Sequence, residues 1–576
     1  TDKTGTLTRN EMTVTAIVLP DGRELAVTGA GYAPDGRIVG LDGAAAVAPI
    51  PGDLLALLEA GVLCNDAQLR GPTDDEPQWS PIGDPTEVAL VTVAIKGGVV
   101  PDEVRARLPR RAEIPFDPDA KMMATQHATP QGPRVIVKGA PEMVLELCKA
   151  TRQDGRDVTL GDEARRALEG VADRMAARAL RVLAIGVVDG AEIDGRAGFA
   201  AFRGRVSLLG LLGQIDPPRS EVKDAVARCR AAGIRPVMVT GDHKATGQAI
   251  ARELGIAADG DAAVDGRELE RMSDAELADR IEGIAVFARV HPAQKLRIVE
   301  AYQRRGEVVA MTGDGVNDAP ALARADVGVA MGMSGTEVAK ESAKIVVGDD
   351  NFATIVAAVE EGRVVYRNIK KAVLLLFSTS VAEVLVLVLA MLLGYPPPFA
   401  AVQILWNNLI TEGLITVNLV MEPAEGDEMR RRPIARDEPL LTRLLLTRTV
   451  FMVGAIVAST LGWFMARTAA GVPAAQVQTE TFTLLAICEW FNVLNCRSET
   501  RSALTVGVLK NTWLLGGLVV GNLLQVAVVF WTPLGGVFHT VPFGVEQVIA
   551  LGVVGSLVLW VEELRKLVVR RRFNRA

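Results

Sequence analysis

The chain has 576 residues, of which 49% are hydrophobic and 23% are charged. Its 62 basic and 69 acidic side chains give a formal net charge of −7, which argues against a nucleic-acid-binding protein. The mean hydropathy of +0.25 is higher than soluble chains usually reach, and it indicates membrane-spanning segments. The five cysteines are scattered without CxxC spacing, so neither a disulfide framework nor a zinc site is predicted.

The first 370 residues alternate short apolar runs with Gly-rich turns and amphipathic stretches, a pattern typical of a parallel α/β sheet. Two of the apolar runs, residues 234–239 and 308–311, each lead into a Gly/Asp loop, residues 240–242 and 312–318. Open parallel sheets bind ligands at such strand ends. We therefore expect a ligand site where these two loops meet.

A segment of different composition interrupts this pattern between residues 11 and 216. Pro/Gly/Asp-rich joints occur at residues 72–85 and 216–218, and we interpret the segment as an inserted domain. The predicted organisation is a first domain from residues 1–10 and 217–350, an inserted domain at 11–216, and a stalk and membrane region at 351–576.

Six long apolar stretches follow residue 370. A bilayer-spanning helix needs about 20 predominantly apolar residues, and most of these stretches reach that length. The predicted spans are residues 372–393, 399–420, 444–466, 480–496, 513–531 and 545–563. Glu489 and Asn492 interrupt the fourth stretch, so its length alone does not identify it as a span.

Basic residues follow the second, fourth and sixth stretches, whereas the segments after the first, third and fifth hold almost none. Cytoplasmic loops are enriched in Lys and Arg. We therefore predict an integral multi-pass protein of a bacterial-type plasma membrane, with the α/β part and the C-terminus in the cytoplasm. The chain begins without an initiator Met or a signal peptide, and we interpret it as a fragment of a longer protein.

Residues 2–8 read Asp-Lys-Thr-Gly-Thr-Leu-Thr and place a carboxylate in a Gly/Thr-rich loop. Backbone N–H groups and a lysine can hold a phosphoryl group in such a loop, and an ionised Asp can attack it. An isolated Asp-Lys-Thr is more often a solvated surface turn. Seven residues in this order favour phosphoryl transfer.

This segment resembles the phosphorylation motif of P-type ATPases, the ion pumps that form an aspartyl-phosphate. Residues 216–219 (DPPR), 240–242 (TGD), 288–295 (ARVHPAQK) and 312–320 (TGDGVNDAP) are similar to further signatures of that family. The resemblance extends over essentially the whole chain. It implies a haloacid-dehalogenase-like (Rossmannoid) α/β phosphorylation domain, an inserted α+β nucleotide-binding domain and an all-α six-helix transmembrane domain.

The resemblance also implies the catalytic roles. Asp2 would be phosphorylated, Mg²⁺ would be held by Asp2, the Thr4 carbonyl and Asp314, and the phosphoryl oxygens would contact Thr240 and Lys295. The implied catalytic set is Asp2, Lys3, Thr4, Thr240, Gly241, Asp242, Lys295, Asn317 and Asp318. Thr4 stands where related phosphatases carry an acid–base Asp, which implies an aspartyl-phosphate that persists.

The inserted domain resembles the family's nucleotide-binding domain through residues 83–87 and 138–142. An adenine base would stack on an aromatic ring, and cationic side chains would contact the phosphates. The implied ATP-binding residues are Glu87, Phe116, Lys121, Lys138, Gly139, Arg181 and Arg289. For Phe116 the competing interpretation is a packed core residue. Pro118 departs from the pattern, because calcium pumps of this family usually carry Arg there.

Acidic residues within the predicted spans indicate a cation site, because intramembrane carboxylates are costly and usually functional. The predicted ligands are Ser380, Glu383, Asn408, Thr411, Glu412 and Glu489. Such oxygen ligands suit a hard cation such as Ca²⁺. The positions resemble those of sarco/endoplasmic-reticulum-type calcium pumps, which have Asn in place of Ser380 and Asp in place of Glu412. Protonated groups that bond between helices are the competing interpretation.

The predicted function is ATP-driven transport of a cation, with Ca²⁺ favoured and Mn²⁺, Na⁺ or H⁺ as alternatives. ATP and Mg²⁺ are the expected cofactors. The expected partners are the cation, the lipid bilayer and the actuator domain and first four spans that family members carry before this segment. A second hypothesis is that the fragment alone is a non-transporting module that binds ATP and phosphorylates itself.

Overall fold

The computed structural model describes residues 1–3, 5–40, 50–73, 79–194 and 198–573. The chain divides into two units, Thr1–Val356 and Ala357–Ala576. The strands, all in the first unit, are β1 (Thr13–Val18), β2 (Glu24–Val27), β3 (Ile38–Gly40), β4 (Gln68–Arg70), β5 (Ser80–Ile82), β6 (Arg110–Asp117), β7 (Met122–Thr129), β8 (Gly132–Gly139), β9 (Cys148–Gln153), β10 (Arg156–Thr159), β11 (Arg181–Asp189), β12 (Val206–Ile215), β13 (Met238–Thr240), β14 (Ala262–Asp265), β15 (Ile284–Ala288), β16 (Ala310–Gly313), β17 (Val327–Met331) and β18 (Ile345–Val347).

The helices that lie wholly in the first unit alternate with these strands. They are α1 (Gly52–Leu63), α2 (Pro85–Lys96), α3 (Pro101–Arg107), α4 (Pro141–Leu147), α5 (Asp162–Ala177), α6 (Val222–Ala231), α7 (Lys244–Glu253), α8 (Gly266–Arg271), α9 (Asp274–Arg280), α10 (Pro292–Arg304), α11 (Ala319–Arg324) and α12 (Glu337–Ser342). Short 3₁₀ turns occur at Gly198–Phe202, Ile281–Gly283 and Val316–Asp318.

Parallel strands surround Asp2. β15 pairs with β13 and β14, and β17 pairs with β16 and β18, all in parallel. Asp2 lies between the two groups, since it forms a parallel bridge with Val239 of β13 and its N–H is 3.4 Å from the Thr312 carbonyl oxygen of β16. The expected parallel α/β sheet is therefore present, with Asp2 at the carboxyl ends of two central strands.

A second, mostly antiparallel sheet has ten strands. Its order is β3-β2-β1-β12-β11-β8-β7-β6, with β9 paired to β10 and β12. Side chains alternate across it, so Ile17 packs with α1 and α2 on one face while Val18 packs with α4 and α5 on the other. Thr13 pairs with Ile215, so the chain enters and leaves this sheet on neighbouring strands. The domain boundaries at residues 10/11 and 216/217 stay a prediction.

The second unit is helical. Its first helix, α13 (Phe352–Leu392), starts at the end of the first unit. The remaining helical segments are α14 (Ala401–Trp406), a π-helical turn (Asn407–Glu412), α15 (Gly413–Leu419), a 3₁₀ turn (Glu428–Arg430), α16 (Arg443–Ala469), α17 (Ala474–Cys496), α18 (Ala503–Val506), a 3₁₀ turn (Val508–Lys510), α19 (Thr512–Phe530), α20 (Thr532–Phe538) and α21 (Val545–Phe573).

Four helices of the described chain are long and apolar enough to cross a membrane. They are Phe352–Leu392, Arg443–Ala469, Thr512–Phe530 and Val545–Arg571, which coincide with the first, third, fifth and sixth predicted spans. The second predicted span is divided by the π-helical turn, and the fourth, on α17, carries Glu480 and Glu489. Neither meets the same criterion of length and composition, so the six-span arrangement stays a prediction.

A buried ion pair joins α16 to α21. Arg448 Nε donates to Glu562 Oε1 at 2.8 Å, and Arg448 Nη2 donates to the Asn495 carbonyl oxygen of α17 at 2.9 Å. Arg448 is 1% exposed and Glu562 is fully buried. A charge at such depth is tolerated only when it is paired and hydrogen-bonded. The pair therefore fixes how these three helices pack.

We expect Glu562→Gln to destabilise the second unit by about 3 kcal/mol or more, because it leaves the buried Arg448 without its counter-charge. Thermal unfolding of the purified protein in detergent measures the loss. Glu546→Gln, at an exposed position of the same helix, is the matched control and should leave the unfolding temperature unchanged. Equal unfolding temperatures for both variants would contradict the structural role of the pair.

Candidate phosphoryl-transfer, nucleotide and cation sites

Lys295 joins two buried carboxylates at the centre of the parallel sheet. Its ammonium lies 2.7 Å from Asp2 Oδ2 and 2.6 Å from Asp318 Oδ1. Burial alone would lower the pKa of Lys295, but the two carboxylates outweigh burial and raise it. Lys295 is therefore a charged donor held beside the Asp2 carboxylate, and α10 positions it there.

A third carboxylate completes the cluster. Ligand atoms of Asp2, Asp314 and Asp318 all lie within 4.8 Å of one another. Burial, followed by the nearby charges of Asp2 and Asp318, raises the pKa of Asp314 to about 6. Lys295 supplies one positive charge against three acidic groups, so the cluster retains an excess of negative charge.

This donor set fits Mg²⁺, which prefers carboxylate oxygens and retains several water ligands. Asp2 and Asp314 were predicted to hold the ion, and the structure brings both together. Asp318 was predicted as a catalytic residue, and it lies in the same cluster. The predicted carbonyl ligand, Thr4, lies outside the described residues. When bound, Mg²⁺ would supply positive charge beside the phosphoryl oxygens.

Lys3 points to Asp242 rather than to the Asp2 carboxylate. Its ammonium lies 2.6 Å from Asp242 Oδ2, while its backbone N–H donates to Asp2 Oδ1 at 2.6 Å. Thr240 is buried at the end of β13, and its hydroxyl accepts a hydrogen bond from the Asp242 N–H. Asn317 is exposed, so of the predicted pair Asn317 and Asp318 only Asp318 is buried in the cluster.

Open space surrounds Gly241, the remaining predicted catalytic residue. A Cβ atom built on Gly241 would have no neighbour within 4 Å. An incoming phosphoryl group could therefore approach the backbone at this strand end without a side chain in the way.

Asp216 and Arg219 hold the loop that follows Asp2. Asp216 accepts hydrogen bonds from the Thr8 hydroxyl at 2.5 Å and from the Glu11 N–H at 3.2 Å. The Arg219 guanidinium donates to the Gly5 and Thr8 carbonyl oxygens. The segment 216–219 was noted as a signature, but its sequence did not reveal this role.

A cavity of about 690 Å³ opens beside the ten-stranded sheet, between residues of α2, α4 and α5. Six of the seven predicted ATP-binding residues line it: Glu87, Phe116, Lys121, Lys138, Gly139 and Arg181. The Phe116 side chain is 61% exposed, so it is not a packed core residue and its ring is accessible to a ligand. A flat aromatic face at a cavity mouth suits a nucleobase.

Cationic groups in the cavity have different partners. Lys138 is buried and pairs with Glu87 at 2.7 Å, whereas the exposed Lys121 pairs with Glu142 at 3.2 Å. Arg289, the seventh predicted residue, does not line the cavity; its N–H donates to the Asp242 carbonyl oxygen near the phosphoryl-transfer site. The exposed Pro118 is likewise absent from the lining.

Polar groups of α13, the π-helical turn and α17 meet inside the second unit. Asn408 donates to Glu383 at 3.1 Å, and Asn407 donates to Glu489 at 3.3 Å. The Thr379 hydroxyl donates to Glu412. Thr411 is buried in the π-helical turn. The structure thus connects the predicted ligands Glu383, Asn408, Glu412 and Glu489 to polar partners in this region.

Ser380 stays a predicted ligand, although its burial differs from that of its neighbours. It is exposed, whereas its neighbours Ser378 and Thr379 are buried and bond Asn492 and Glu412. Asn407 was missed for a related reason: Asn407 and Asn408 both bond acids, because the π-helical turn departs from regular helical spacing. The sequence signal for Asn407 was that it lies next to Asn408, but helical periodicity alone could not show which of the two asparagines contacts an acid.

Several buried oxygens of this cluster have no hydrogen-bond partner in the described chain. They are Glu383 Oε1, Asn407 Oδ1, Glu489 Oε2 and Asn492 Oδ1. An unpartnered buried polar atom costs about 1–3 kcal/mol, so such atoms are rarely left without a ligand or water. Carboxylate and amide oxygens with free lone pairs are what a hard cation requires.

Three sequence-family models match parts of the chain. "P-type ATPase, cytoplasmic domain N" matches residues 53–221, "haloacid dehalogenase-like hydrolase" matches 295–359, and "Cation transporting ATPase, C-terminus" matches 396–568. Together with the parallel sheet around Asp2, these matches define a membrane protein with a haloacid-dehalogenase-like domain and a P-type ATPase cytoplasmic domain.

Curated relatives match nearly the whole chain. It is 40% identical over 552 residues to the probable cation-transporting ATPase F of Mycobacterium tuberculosis and 39% identical over 554 residues to the calcium-transporting ATPase of Bacillus subtilis, with 94% of this chain and 60% of each relative covered. It is 38% identical over 575 residues to the Homo sapiens calcium-transporting ATPase type 2C member 1, with 99% and 60% covered. The chain thus spans about 60% of the length of these relatives. It belongs to the P-type cation-transporting ATPase family.

We expect Asp314→Asn to weaken Mg²⁺ binding by about tenfold or more, because it removes one carboxylate from the cluster. The shift of the unfolding temperature with Mg²⁺ concentration, recorded without ATP, measures the affinity. Glu337→Gln, which removes an exposed negative charge paired with Lys340, is the control. Identical Mg²⁺ titrations for Asp314→Asn and wild type would place the ion elsewhere.

We expect Phe116→Ala to weaken ATP binding by about tenfold, since stacking of a base on an aromatic ring contributes about 1–3 kcal/mol. Calorimetric titration of the purified protein with ATP measures the dissociation constant. Val158→Ala shortens an exposed apolar side chain that does not line the cavity, and it should bind like wild type. An unchanged affinity in Phe116→Ala would remove the ring from the nucleotide site.

Proposed function

We propose that the whole protein is an ATP-driven pump that moves a cation, Ca²⁺ in the first instance, across a membrane through an aspartyl-phosphate on Asp2. The observation that carries this proposal is the buried cluster of Glu383, Glu412 and Glu489, whose oxygens include unpartnered ones. A protein that only transferred phosphate would have no use for such a cluster. ATP would be the energy source, as family membership and the carboxylate site around Asp2 indicate.

The chemistry of the first step follows from the arrangement around Asp2. A carboxylate oxygen of Asp2 attacks the terminal phosphorus of ATP, a new O–P bond forms, and the bond to the ADP oxygen breaks. Lys295, whose ammonium lies 2.7 Å from Asp2 Oδ2, would offset negative charge on the transferred group. The chain has Thr at position 4 rather than an acid–base Asp, so water attack is slow and the aspartyl-phosphate persists.

The partners of the buried acids support the interpretation of Glu383, Glu412 and Glu489 as cation ligands rather than as structural groups that bond between helices. Other buried acids of the second unit pair with arginine: Glu422 with Arg497, Glu480 with Arg467, and Glu562 with Arg448. In the described chain, no basic side chain forms an ion pair with Glu383, Glu412 or Glu489. These three acids are thus available to a mobile cation.

Ca²⁺ is favoured because three carboxylates with amide and hydroxyl oxygens match its preference for many oxygen ligands. Two of the relatives are named calcium-transporting ATPases. Mn²⁺, Na⁺ and H⁺ are the competing ions, since Ser380 and Glu412 depart from the sarco/endoplasmic-reticulum pattern. We assign the chain to that calcium-pump-like subgroup as part of this proposal.

The membrane arrangement is also part of the proposal. The Arg-rich segments after the second, fourth and sixth predicted spans favour six spans with the phosphorylation and nucleotide regions and the C-terminus in the cytoplasm. The expected host is a bacterial-type plasma membrane. An actuator domain and four earlier spans, as in the family, would complete the cycle. The chain by itself would then be limited to binding ATP and phosphorylating itself.

The decisive experiment uses the protein expressed from its intact gene in membrane vesicles. Brief exposure to ATP labelled on its terminal phosphate should give an acid-stable, hydroxylamine-labile phosphoprotein, and Asp2→Asn should give none. Uptake of Ca²⁺, Mn²⁺ and Na⁺, and the accompanying pH change, are followed side by side. We expect ATP-dependent Ca²⁺ uptake.

Glu383→Gln and Glu412→Gln should each raise the Ca²⁺ concentration for half-maximal phosphorylation by about tenfold or more, because a charged ligand is lost. The exposed Glu546→Gln is the control for loss of a charge on a helix of the same unit. Phosphorylation without uptake of any ion would favour the non-transporting module. Unaltered ion dependence in both variants would show that the cation site lies elsewhere.

A further inference from the structure

The loop at residues 332–336 borders the phosphoryl-transfer site and has no assigned role. The Thr336 N–H donates to the Asp314 carbonyl oxygen at 2.8 Å. A Cβ atom built on Gly5, in the loop after Asp2, would lie 3.5 Å from both Ser334 Oγ and Asp314 Oδ2. The loop is therefore a wall of the pocket that contains the carboxylate cluster.

The two glycines of this loop, Gly332 and Gly335, do not by themselves fix its backbone path. A Cβ atom on Gly332 would come 2.7 Å from the Val347 carbonyl oxygen, and one on Gly335 would collide with the Met331 carbonyl oxygen. The tight path therefore excludes larger residues at both positions. Glycine also leaves the backbone free to adopt other paths, so something else has to select this one.

The Asp350 carboxylate provides that support. Its Oδ1 accepts a hydrogen bond from the Met333 N–H at 2.9 Å, and its Oδ2 accepts one from the Ser334 N–H at 2.7 Å. Asp350 is 4% exposed. These hydrogen bonds outweigh burial and hold the pKa of Asp350 below its usual range, so the ionised form is the one that binds the loop.

The backbone of Asp350 is itself held in an uncommon conformation. Its φ of +51° lies in the left-handed region, which costs a non-glycine residue free energy and persists only where contacts enforce it. Such strain is concentrated at functional positions. Here it directs the carboxylate into the loop rather than towards solvent.

Asp350 also lies two residues before the start of α13. Asn351 Oδ1 accepts from the Ala353 N–H at 2.9 Å, and the Thr354 hydroxyl donates to Asp349 at 2.6 Å. Phe352 and Val356 are buried, and both belong to the first unit. Asp350, which accepts hydrogen bonds from the loop, is thus close in the chain to the start of α13, the helix that contains Glu383.

We infer that Asp350 is a positioning residue, which fixes the loop at residues 332–336 against the Mg²⁺ and phosphoryl pocket and ties that pocket to the first turn of α13. The inference deepens the proposed function. It assigns no direct contact between Asp350 and the substrate. Asp350 acts through the Met333 and Ser334 amides and, beyond them, through the wall beside Asp314.

The test compares Asp350→Asn with wild type in the full protein. An amide side chain can accept with its oxygen, but its NH₂ group opposes the second backbone N–H, so one of the two hydrogen bonds is lost. Hydrogen–deuterium exchange followed by mass spectrometry should show faster exchange in peptides covering residues 332–336. The Mg²⁺ concentration for the half-maximal thermal shift, measured without ATP, should rise about tenfold.

Two further variants make the result decisive. Glu337→Gln removes an exposed charge two residues after the loop's Gly335 and should match wild type in both measurements. Asp350→Glu keeps the charge on a side chain one methylene longer, and its effect should be smaller than that of Asp350→Asn. If Asp350→Asn does not fold, as judged by ATP binding to the separate cavity, the Asp350→Glu result decides.

Unchanged exchange of the loop together with an unchanged Mg²⁺ titration, in a folded Asp350 variant, overturns the inference. Neither measurement depends on phosphorylation. Failure of the proposed function, seen as a wild-type protein that forms no phosphoprotein, is therefore distinguished from failure of the role assigned to Asp350.

Discussion

One lysine between two aspartates holds the candidate phosphoryl-transfer site together. Lys295 and Asp2 are 293 positions apart in the chain, and the ammonium bonds both Asp2 and Asp318 within 2.7 Å. Three carboxylates at such close range would repel one another strongly in a buried setting. The lysine reduces that repulsion but leaves the cluster short of positive charge. That remaining negative charge favours a divalent cation, and a bound divalent cation would offset the charge of a phosphoryl group in the same pocket.

The buried acids of the second unit have two different kinds of partner. Glu422, Glu480 and Glu562 each form an ion pair with an arginine, which is a fixed structural solution. Glu383 and Glu489 instead accept hydrogen bonds from asparagines, and each keeps an oxygen that has no partner in the described chain. A fixed counter-charge would block a mobile cation. The contrast between the two kinds of acid is the physical basis for treating one group as ligands and the other as packing elements.

Sequence reasoning succeeded where a short motif carries its own chemistry. The residues around Asp2 and Asp314 lie in Gly/Asp loops at strand ends, and parallel strands bring such ends together, so their convergence could be expected. Six of seven predicted nucleotide residues line one cavity for a similar reason. Arg289 was the exception, because it follows β15 of the parallel group, whereas the cavity lies beside the ten-stranded sheet. In the predicted spans, Asn407 and Asn408 of the π-helical turn both donate to acids, and the buried Thr379, next to the predicted Ser380, donates to Glu412.

The sequence by itself indicated the parallel α/β class and the apolar stretches, since these depend on local composition, and its short motifs predicted Asp2 as the attacking carboxylate. Tertiary structure alone decided the partners: which acid Lys3 pairs with, which hydroxyl reaches Glu412, and that Asp350 supports a loop some 16 residues before it. Those contacts depend on the three-dimensional paths of several segments at once. No periodicity within a single segment specifies them, because the free energy of each contact depends on where another segment comes to lie.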